Sequence, residues 1–144
     1  MDYHAIFQIS ASGMALEKLR LDTTAANIAN MNVAYAPGEA GYRPMRVVAQ
    51  TAPLGFSQQF GSMYRAVGGV QSMNVVQEAA PPRLVHEPGH PLANAQGMVA
   101  YPGVNHTQEM VNMTAALRAY EANVAVMNAA KTMAARALDI GGQQ

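Results

Sequence analysis

The C-terminal third of the chain carries its most constraining pattern, a long helical repeat of apolar residues. Between residues 105 and 139, apolar side chains recur at alternating spacings of three and four residues: Met110, Met113, Leu117, Tyr120, Val124 and Met127. This is the spacing of a coiled-coil seam, which lies along one side of a helix. Asn105 is a candidate N-cap with Gln108 three residues on, and Gly141-Gly142 supply a C-terminal stop. We therefore predict one long helix.

This helix is too long and too weakly charged to stand alone. At about 1.5 Å per residue it spans roughly 50 Å, more than three times the radius of gyration of a compact domain of this size, which is about 14.5 Å. Ten of residues 105–139 are alanine and only six are charged, so the faces away from the seam are small and nearly neutral. We expect other copies of the chain, or other proteins, to cover them.

A second helix is predicted from Tyr3 to about Asn30. Large apolar residues fall seven apart on one side of it: Phe7, Met14, Leu21 and Ile28. The helix runs into an asparagine-rich segment, residues 27–32, whose side chains favour local hydrogen bonds over further helix. From the spacing alone we interpret this segment as a frayed helix end.

The segment between the helices has a different composition. All eight prolines and most of the twelve glycines lie between residues 33 and 103, so long helices are not expected there. Valine and tyrosine enrichment predicts short strands at Tyr42–Gln50, Tyr64–Gln77 and Met98–Tyr101, with a loop over residues 51–62. The sequence thus predicts an α+β chain. Residues 1–32 and 104–144 form a coiled-coil-like helical domain, and residues 33–103 form a β-rich, loop-rich insert.

Charge and cysteine content exclude several classes of protein. Charged residues make up 12% of the chain, and nine basic side chains balance nine acidic ones, which favours assembly over life as a dilute monomer. The basic residues are scattered singly, so we expect no nucleic acid as a partner. Because the chain has no cysteine, disulfides, thiolate metal sites and cysteine nucleophiles are ruled out.

Neither a signal peptide nor direct membrane insertion is predicted. Residues 1–4 lack the positive charge that begins a signal peptide. A long charge-free stretch, Val47 to Tyr64, is broken by Pro53, Gly55 and Gly61, so it is not expected to cross a bilayer as a helix. If the protein leaves the cytoplasm, we expect a route other than a cleaved signal.

One run formally matches a zinc-hydrolase motif, His86-Glu87-Pro88-Gly89-His90. In such enzymes a helix places both histidines on one face and directs the glutamate at metal-bound water. Pro88, Gly89 and Pro91 oppose that helix, so we interpret the run as a proline-fixed turn whose histidines bond to nearby backbone. No serine has an adjacent base and the acidic residues are spread out. We therefore predict no catalytic residue, no metal site and no cofactor.

Several short motifs resemble those of bacterial flagellar axial proteins. Ala25 to Asn30, which contains Asn27 and Asn30, is similar to the asparagine-rich signature shared by rod and hook proteins. Further motifs follow in order: Gly41-Tyr42-Arg43, Val47-Val48, Pro88-Gly89-His90-Pro91, Gly97 to Asn105, and Glu109 to Met113. In that order and spacing they resemble the FlgC family of proximal-rod subunits, over essentially the whole chain and least over residues 51–66. The family usually has asparagine where Gly103 stands, and a threonine shortly after the signature, where this chain runs Met31-Asn32-Val33.

The resemblance implies a structural subunit of the bacterial flagellum, in the rod of the basal body. Such a subunit polymerises through its terminal helices, which form a D0-like layer, with copies of itself and with other rod proteins. The assembly forms part of the drive shaft and export channel. Synthesis in the cytoplasm, export by the flagellar type III apparatus, contact with the inner-membrane ring or its adaptor, and a place in the periplasm-spanning rod are also implied.

We expect the subunit interface at the apolar repeats of both terminal helices. Its predicted residues are Phe7, Met14, Leu21, Ile28, Met110, Met113, Leu117, Tyr120, Val124 and Met127. Two other hypotheses remain: a helical adaptor that binds a single partner through the C-terminal seam, and, the weakest of the three, a zinc hydrolase.

Overall fold

Two long helices bracket four short strands along the chain. The computed structural model describes residues 3–50, 69–70 and 72–141. Its elements are α1 (Tyr3–Asn30), β1 (Met45–Gln50), β2 (Ser72–Gln77), β3 (Arg83–His86), β4 (Met98–Tyr101) and α2 (His106–Gly141). The predicted α+β class, with helices at both ends and a strand-containing middle segment, is confirmed.

The end of α1 is regular, so the interpretation of a frayed helix end is wrong. Asn27 directs its side chain at groups outside the helix, so it does not compete for the backbone of α1. The Asn30 side chain donates to the Ala26 carbonyl at 2.8 Å, and the Val33 N–H then bonds to the Asn30 carbonyl at 3.1 Å. These bonds close the last turn of the helix.

At its start, α2 has the N-cap that the sequence predicts. Asn105 Oδ1 accepts the Gln108 N–H at 3.2 Å, and the Asn105 carbonyl accepts the Glu109 N–H at 3.0 Å. The Gln108 side chain donates to Asn112 at 3.1 Å instead of reaching back to the cap, so only half of a capping box forms. Neither described helix has a stretch long and apolar enough to cross a bilayer.

The strands pair into two small sheets, β1 with β2 and β3 with β4. β3 and β4 are antiparallel, with Leu84 opposite Ala100. Tyr35 bridges β4 on its other edge, where its N–H donates to the Ala100 carbonyl at 2.9 Å and its carbonyl accepts the Ala100 N–H at 3.1 Å. β4 thus has a paired backbone on both edges, and its Val99 and Ala100 are buried.

Agreement with the predicted strands is partial. Met98–Tyr101 is a strand as predicted, and Tyr42–Gln50 shortens to β1 because Pro44 has no N–H to pair. β3 has no counterpart among the predictions, since four residues are too few to show a period. The predicted loop, 51–62, and most of the predicted strand before β2 lie outside the described residues.

The chain divides into two compact units. The first comprises Met1–Leu19, Ala49–Asn74 and Ala116–Gln144, and the second comprises Arg20–Val48 and Val75–Ala115. In the first unit, Leu16, Ala116 and Ala130 are buried. In the second unit, Val99 and Asn27 are the largest fully buried side chains apart from a proline.

Each unit contains a contact between α1 and α2. In the first, the Asn123 amide lies so close to Gly13 that a Cβ there would come within 2.8 Å of its nitrogen. In the second, Asn27 Nδ2 donates to Glu109 Oε2 at 3.3 Å.

Candidate assembly interface

The side chain of Asn27 uses its full hydrogen-bonding capacity inside the second unit. It is 2% exposed. Its Oδ1 accepts the Tyr42 hydroxyl at 2.8 Å and the Met45 N–H at 2.9 Å. Its Nδ2 donates to the Met45 carbonyl at 2.9 Å and to Glu109 Oε2 at 3.3 Å. An amide offers two donors and two acceptor lone pairs, and all are occupied. We refer to Asn27, Tyr42, Met45 and Glu109 as the asparagine clamp.

This clamp joins three elements: the end of α1, the start of β1 and the first turn of α2. Toward Met45, the Asn27 amide makes the same pair of N–H and C=O bonds that a neighbouring strand would make. Glu109 lies in the first turn of α2, where the helix dipole also favours a carboxylate. The clamp therefore fixes where both helices stand relative to β1.

The ionisation of Tyr42 suits its role as a donor. Burial, and then the negative charge of Glu109, raise the pKa of the Tyr42 hydroxyl above its ordinary value. The hydroxyl thus keeps the proton that it donates to Asn27. Asn30, the other signature asparagine, bonds within its own helix to Ala26. The two signature asparagines therefore differ in role: Asn27 joins α1 to other elements, and Asn30 bonds within α1.

Along α2, a stripe of inward-facing residues repeats every three or four positions. Its side chains are buried or half-buried: Glu109, Met113, Ala116, Tyr120, Asn123, Met127, Ala130 and Ala134. Of the predicted seam, Met113, Tyr120 and Met127 belong to this stripe, and Val124 is half-buried beside it. Met110 and Leu117 do not belong, since they are 45% and 47% exposed. The structure therefore separates the predicted seam into an inward part and an exposed part.

The buried residues of α1 are mostly polar, unlike those of its predicted seam. Ser10, Glu17 and Thr24 are buried and lie seven residues apart. Small residues let helices approach closely, as Gly13 does beside Asn123. The predicted seam residues are half-buried instead: Phe7, Met14, Leu21 and Ile28. Part of each of these side chains remains exposed on α1.

The run from His86 to His90 forms a turn and no helix. His86 ends β3, and the His90 N–H bonds to the Glu87 carbonyl at 3.0 Å across the turn at Pro88-Gly89. His90 Nδ1 accepts the Leu92 N–H at 3.1 Å, and a second turn over Pro91 follows. The predicted proline-fixed turn is confirmed, and of the two histidines predicted to bond to nearby backbone, His90 does so. The helical face that a zinc-hydrolase motif requires does not form.

Glu87 has a structural role that the zinc-hydrolase motif does not indicate. Tyr101 donates its hydroxyl to the Glu87 carboxylate, 3.2 Å from Oε2. Arg83, opposite Tyr101 in the β3–β4 register, lies over the ring at 5.2 Å from its centroid. Burial, followed by the charge and hydrogen bond of Glu87, raises the pKa of Tyr101. Within the residues that the structure describes, no three His, Asp or Glu side chains gather as metal-ion ligands would.

Comparison with known proteins places both helices in flagellar rod families. The family model for flagella basal body rod proteins matches residues 7–34, and the model for the C-terminal part of flagellar basal body rod FlgEFG proteins matches residues 95–140. The flagellar basal-body rod protein FlgC of Salmonella typhimurium is 38% identical over 136 residues, covering 94% of this chain and 96% of that one. The chain belongs to the FlgC family.

Other FlgC proteins match over a similar share of their length. FlgC of Bacillus subtilis is 35% identical over 147 residues, covering 96% of this chain and 97% of the relative. FlgC of Borreliella burgdorferi is 30% identical over 156 residues, with 97% and 98% covered. Their names are those of rod proteins rather than of enzymes. This FlgC-family chain is a structural subunit of the flagellar basal-body rod, where it assembles with other rod components.

The asparagine clamp connects the two segments that match the rod families. Asn27 lies in the segment 7–34 and Glu109 in the segment 95–140. Tyr42 and Met45, between them, are clamp residues that sequence reasoning did not identify as a site. A signal exists in the FlgC-like motifs, which include Gly41-Tyr42-Arg43 and Glu109, but no periodicity relates residues so far apart.

Proposed function

We propose that this FlgC-family chain is a subunit of the proximal rod, and that it polymerises through α1 and α2. In this proposal the helices of neighbouring copies, and of other rod proteins, cover the apolar side chains that the single chain leaves exposed. The tube of helices forms part of the drive shaft and the wall of the export channel. The motifs shared with FlgC proteins support the proximal position.

The observation that carries the proposal is the exposure of Met110 and Leu117. Both lie on α2 about a quarter turn from its buried stripe, and each is nearly half exposed. Complete burial of such a side chain is worth about 1.5–3 kcal/mol relative to full exposure. With charged residues at 12% of the chain, little electrostatic repulsion opposes the approach of a second helix.

We extend the proposal to delivery and attachment. The chain is made in the cytoplasm and passes through the flagellar type III apparatus. It then joins the periplasm-spanning rod next to the inner-membrane ring or its adaptor. Family membership supports these steps.

The test replaces the chain by Leu117→Asp in a motile strain. A charge at an interface position excludes the neighbouring helix or costs several kcal/mol, so we expect loss of motility and of complete rods. The control is Ala125→Asp, because Ala125 is exposed on the side of α2 farthest from the buried stripe. Circular dichroism of both purified variants should match the parent, since neither residue is buried in the single chain.

Normal rods and motility with Leu117→Asp would refute an interface at this position. Loss of motility in both variants would show that the rod packs α2 on its outer side as well. If the chain were instead an adaptor for one partner, Leu117→Asp would leave rods of normal length and abolish binding of that single protein.

A further inference from the structure

Besides the exposed apolar residues Met110 and Leu117, α2 has a second exposed apolar stripe on the other side of its buried stripe. Val126, Met133 and Ile140 are seven residues apart and 51%, 45% and 77% exposed. We name them the downstream stripe. Met110, Leu117 and Val124, also seven apart, form the upstream stripe. At about 100° per residue, the two stripes lie on opposite sides of the buried stripe, each about a quarter turn from its centre.

The two stripes match each other residue for residue. Sixteen residues separate Met110 from Val126, Leu117 from Met133, and Val124 from Ile140. At about 1.5 Å per residue this displacement is about 24 Å along the helix. A parallel copy of α2 that is shifted by this distance therefore sets every member of one stripe level with its counterpart in the other.

Opposite charges border the stripes at matching heights. Glu121 lies on the outer edge of the upstream stripe and Arg136 on the outer edge of the downstream stripe, and both are exposed. In the shifted copy, Arg136 comes within one residue, about 1.5 Å, of the level of Glu121. Within one chain they are fifteen residues apart on a single helix, about 22 Å. They can pair only between copies.

We infer that the upstream stripe of one chain packs against the downstream stripe of a second copy, with the helices parallel and shifted by about 24 Å. A second copy is the occupant because both halves of the contact, including the complementary charges, lie on this one helix. The contact joins two different surfaces, so it leaves one free stripe at each end and repeats. This inference rests on the proposed function and adds to it the partner and the register.

The test uses the absence of cysteine from the chain. Leu117→Cys and Met133→Cys are introduced together, and basal bodies isolated from cells that carry this variant are oxidised. The proposed register brings the two cysteines of neighbouring copies level, whereas about 24 Å prevents a bond within one chain. We expect cross-linked dimers, trimers and larger products. The control pair, Leu117→Cys with Val126→Cys, is seven residues out of register and should give none.

A charge exchange on the same cross-linking background tests the register independently. Glu121→Arg or Arg136→Glu alone places like charges together, and we expect about two- to fivefold less trimer, the effect of an exposed charge pair. The double exchange should restore the yield. Because the two residues cannot meet within a chain, such a rescue is evidence for contact between copies.

The remaining outcomes each overturn the inference. Cross-links from position 117 to another rod protein would name a different occupant, and dimers through 117 alone would mean a symmetric contact. If Leu117→Asp abolishes rods while the Leu117→Cys/Met133→Cys pair gives no ladder, the proposed function stands and the copy-to-copy register falls.

Discussion

Replacement of Asn27 tests the asparagine clamp most directly. Asn27→Ala removes four hydrogen bonds inside the second unit. At about 1 kcal/mol net for each bond, and with about 0.6 kcal/mol returned by the better helix propensity of alanine, the free energy of unfolding should fall by about 3 kcal/mol. Urea unfolding of the full chain, followed by circular dichroism, measures this loss.

Asn30→Ala is the matched control. It is the same substitution in the same turn of α1, but it removes one bond to the helix's own Ala26 carbonyl. Its cost should stay below about 1 kcal/mol. If Asn27→Ala costs no more than Asn30→Ala, the clamp does not stabilise the fold and the argument from its four bonds is wrong.

Asn27→Asp adds a pH dependence with a definite sign. The aspartate keeps the acceptor that faces Tyr42, but it sets a second oxygen against the Met45 carbonyl and the Glu109 carboxylate, where Asn27 had donors. Burial and the charge of Glu109 raise the folded-state pKa of the new carboxyl group above about 3.9. Protonation restores a donor, so the deficit relative to the parent is largest at neutral pH and shrinks as pH falls through that raised pKa. A deficit that grows on acidification would contradict this account.

Four further outcomes follow from the structure. The folded-state pKa of Tyr42 is raised above its unfolded value. The stability that Tyr42 contributes is therefore complete below about pH 10 and is lost as pH rises through the folded-state pKa. Urea unfolding of Tyr42→Phe should show a smaller fall in the free energy of unfolding at alkaline pH. Gly103→Ala should destabilise by about 1–3 kcal/mol, since its Cβ would collide with the Pro81 carbonyl. Gly89→Ala, whose Cβ meets open space, should change thermal stability by less than about 0.5 kcal/mol. Within the two helices, trypsin should cut first near Arg136, because residues 135–141 are all exposed. An earlier cut inside α1 would show that α1 is the weaker helix.

The sequence predicted both helices because each repeats its pattern over many turns. The predicted seam did not include part of the inward side of α2: Ala116 and Ala130 are buried and Asn123 is half-buried, and none of the three is a large apolar residue. Met110 and Leu117 were assigned to the same seam as Met113 because a 3-4 spacing cannot say which neighbour a residue meets. That neighbour is decided by tertiary contacts and by assembly.

Local sequence patterns could not predict the contacts of the asparagine clamp, for a different reason. Asn27 and Glu109 are 82 residues apart, and no period connects them. The asparagine-rich segment predicted only local side-chain hydrogen bonds, because its neighbours in the sequence indicate no other partner. The structure supplies the missing partner, the edge of β1, to which Asn27 offers an amide in place of a strand.

The bond between Asn27 and Glu109 has a consequence for the length of the middle segment. It joins the last turn of α1 to the first turn of α2, so residues 31–105 leave and rejoin the helices at neighbouring points. Lengthening such an excursion costs mainly closure entropy, about 0.6 kcal/mol for each doubling. A rod subunit of this design can therefore gain or lose residues in its middle segment while every helical repeat keeps its place in the polymer.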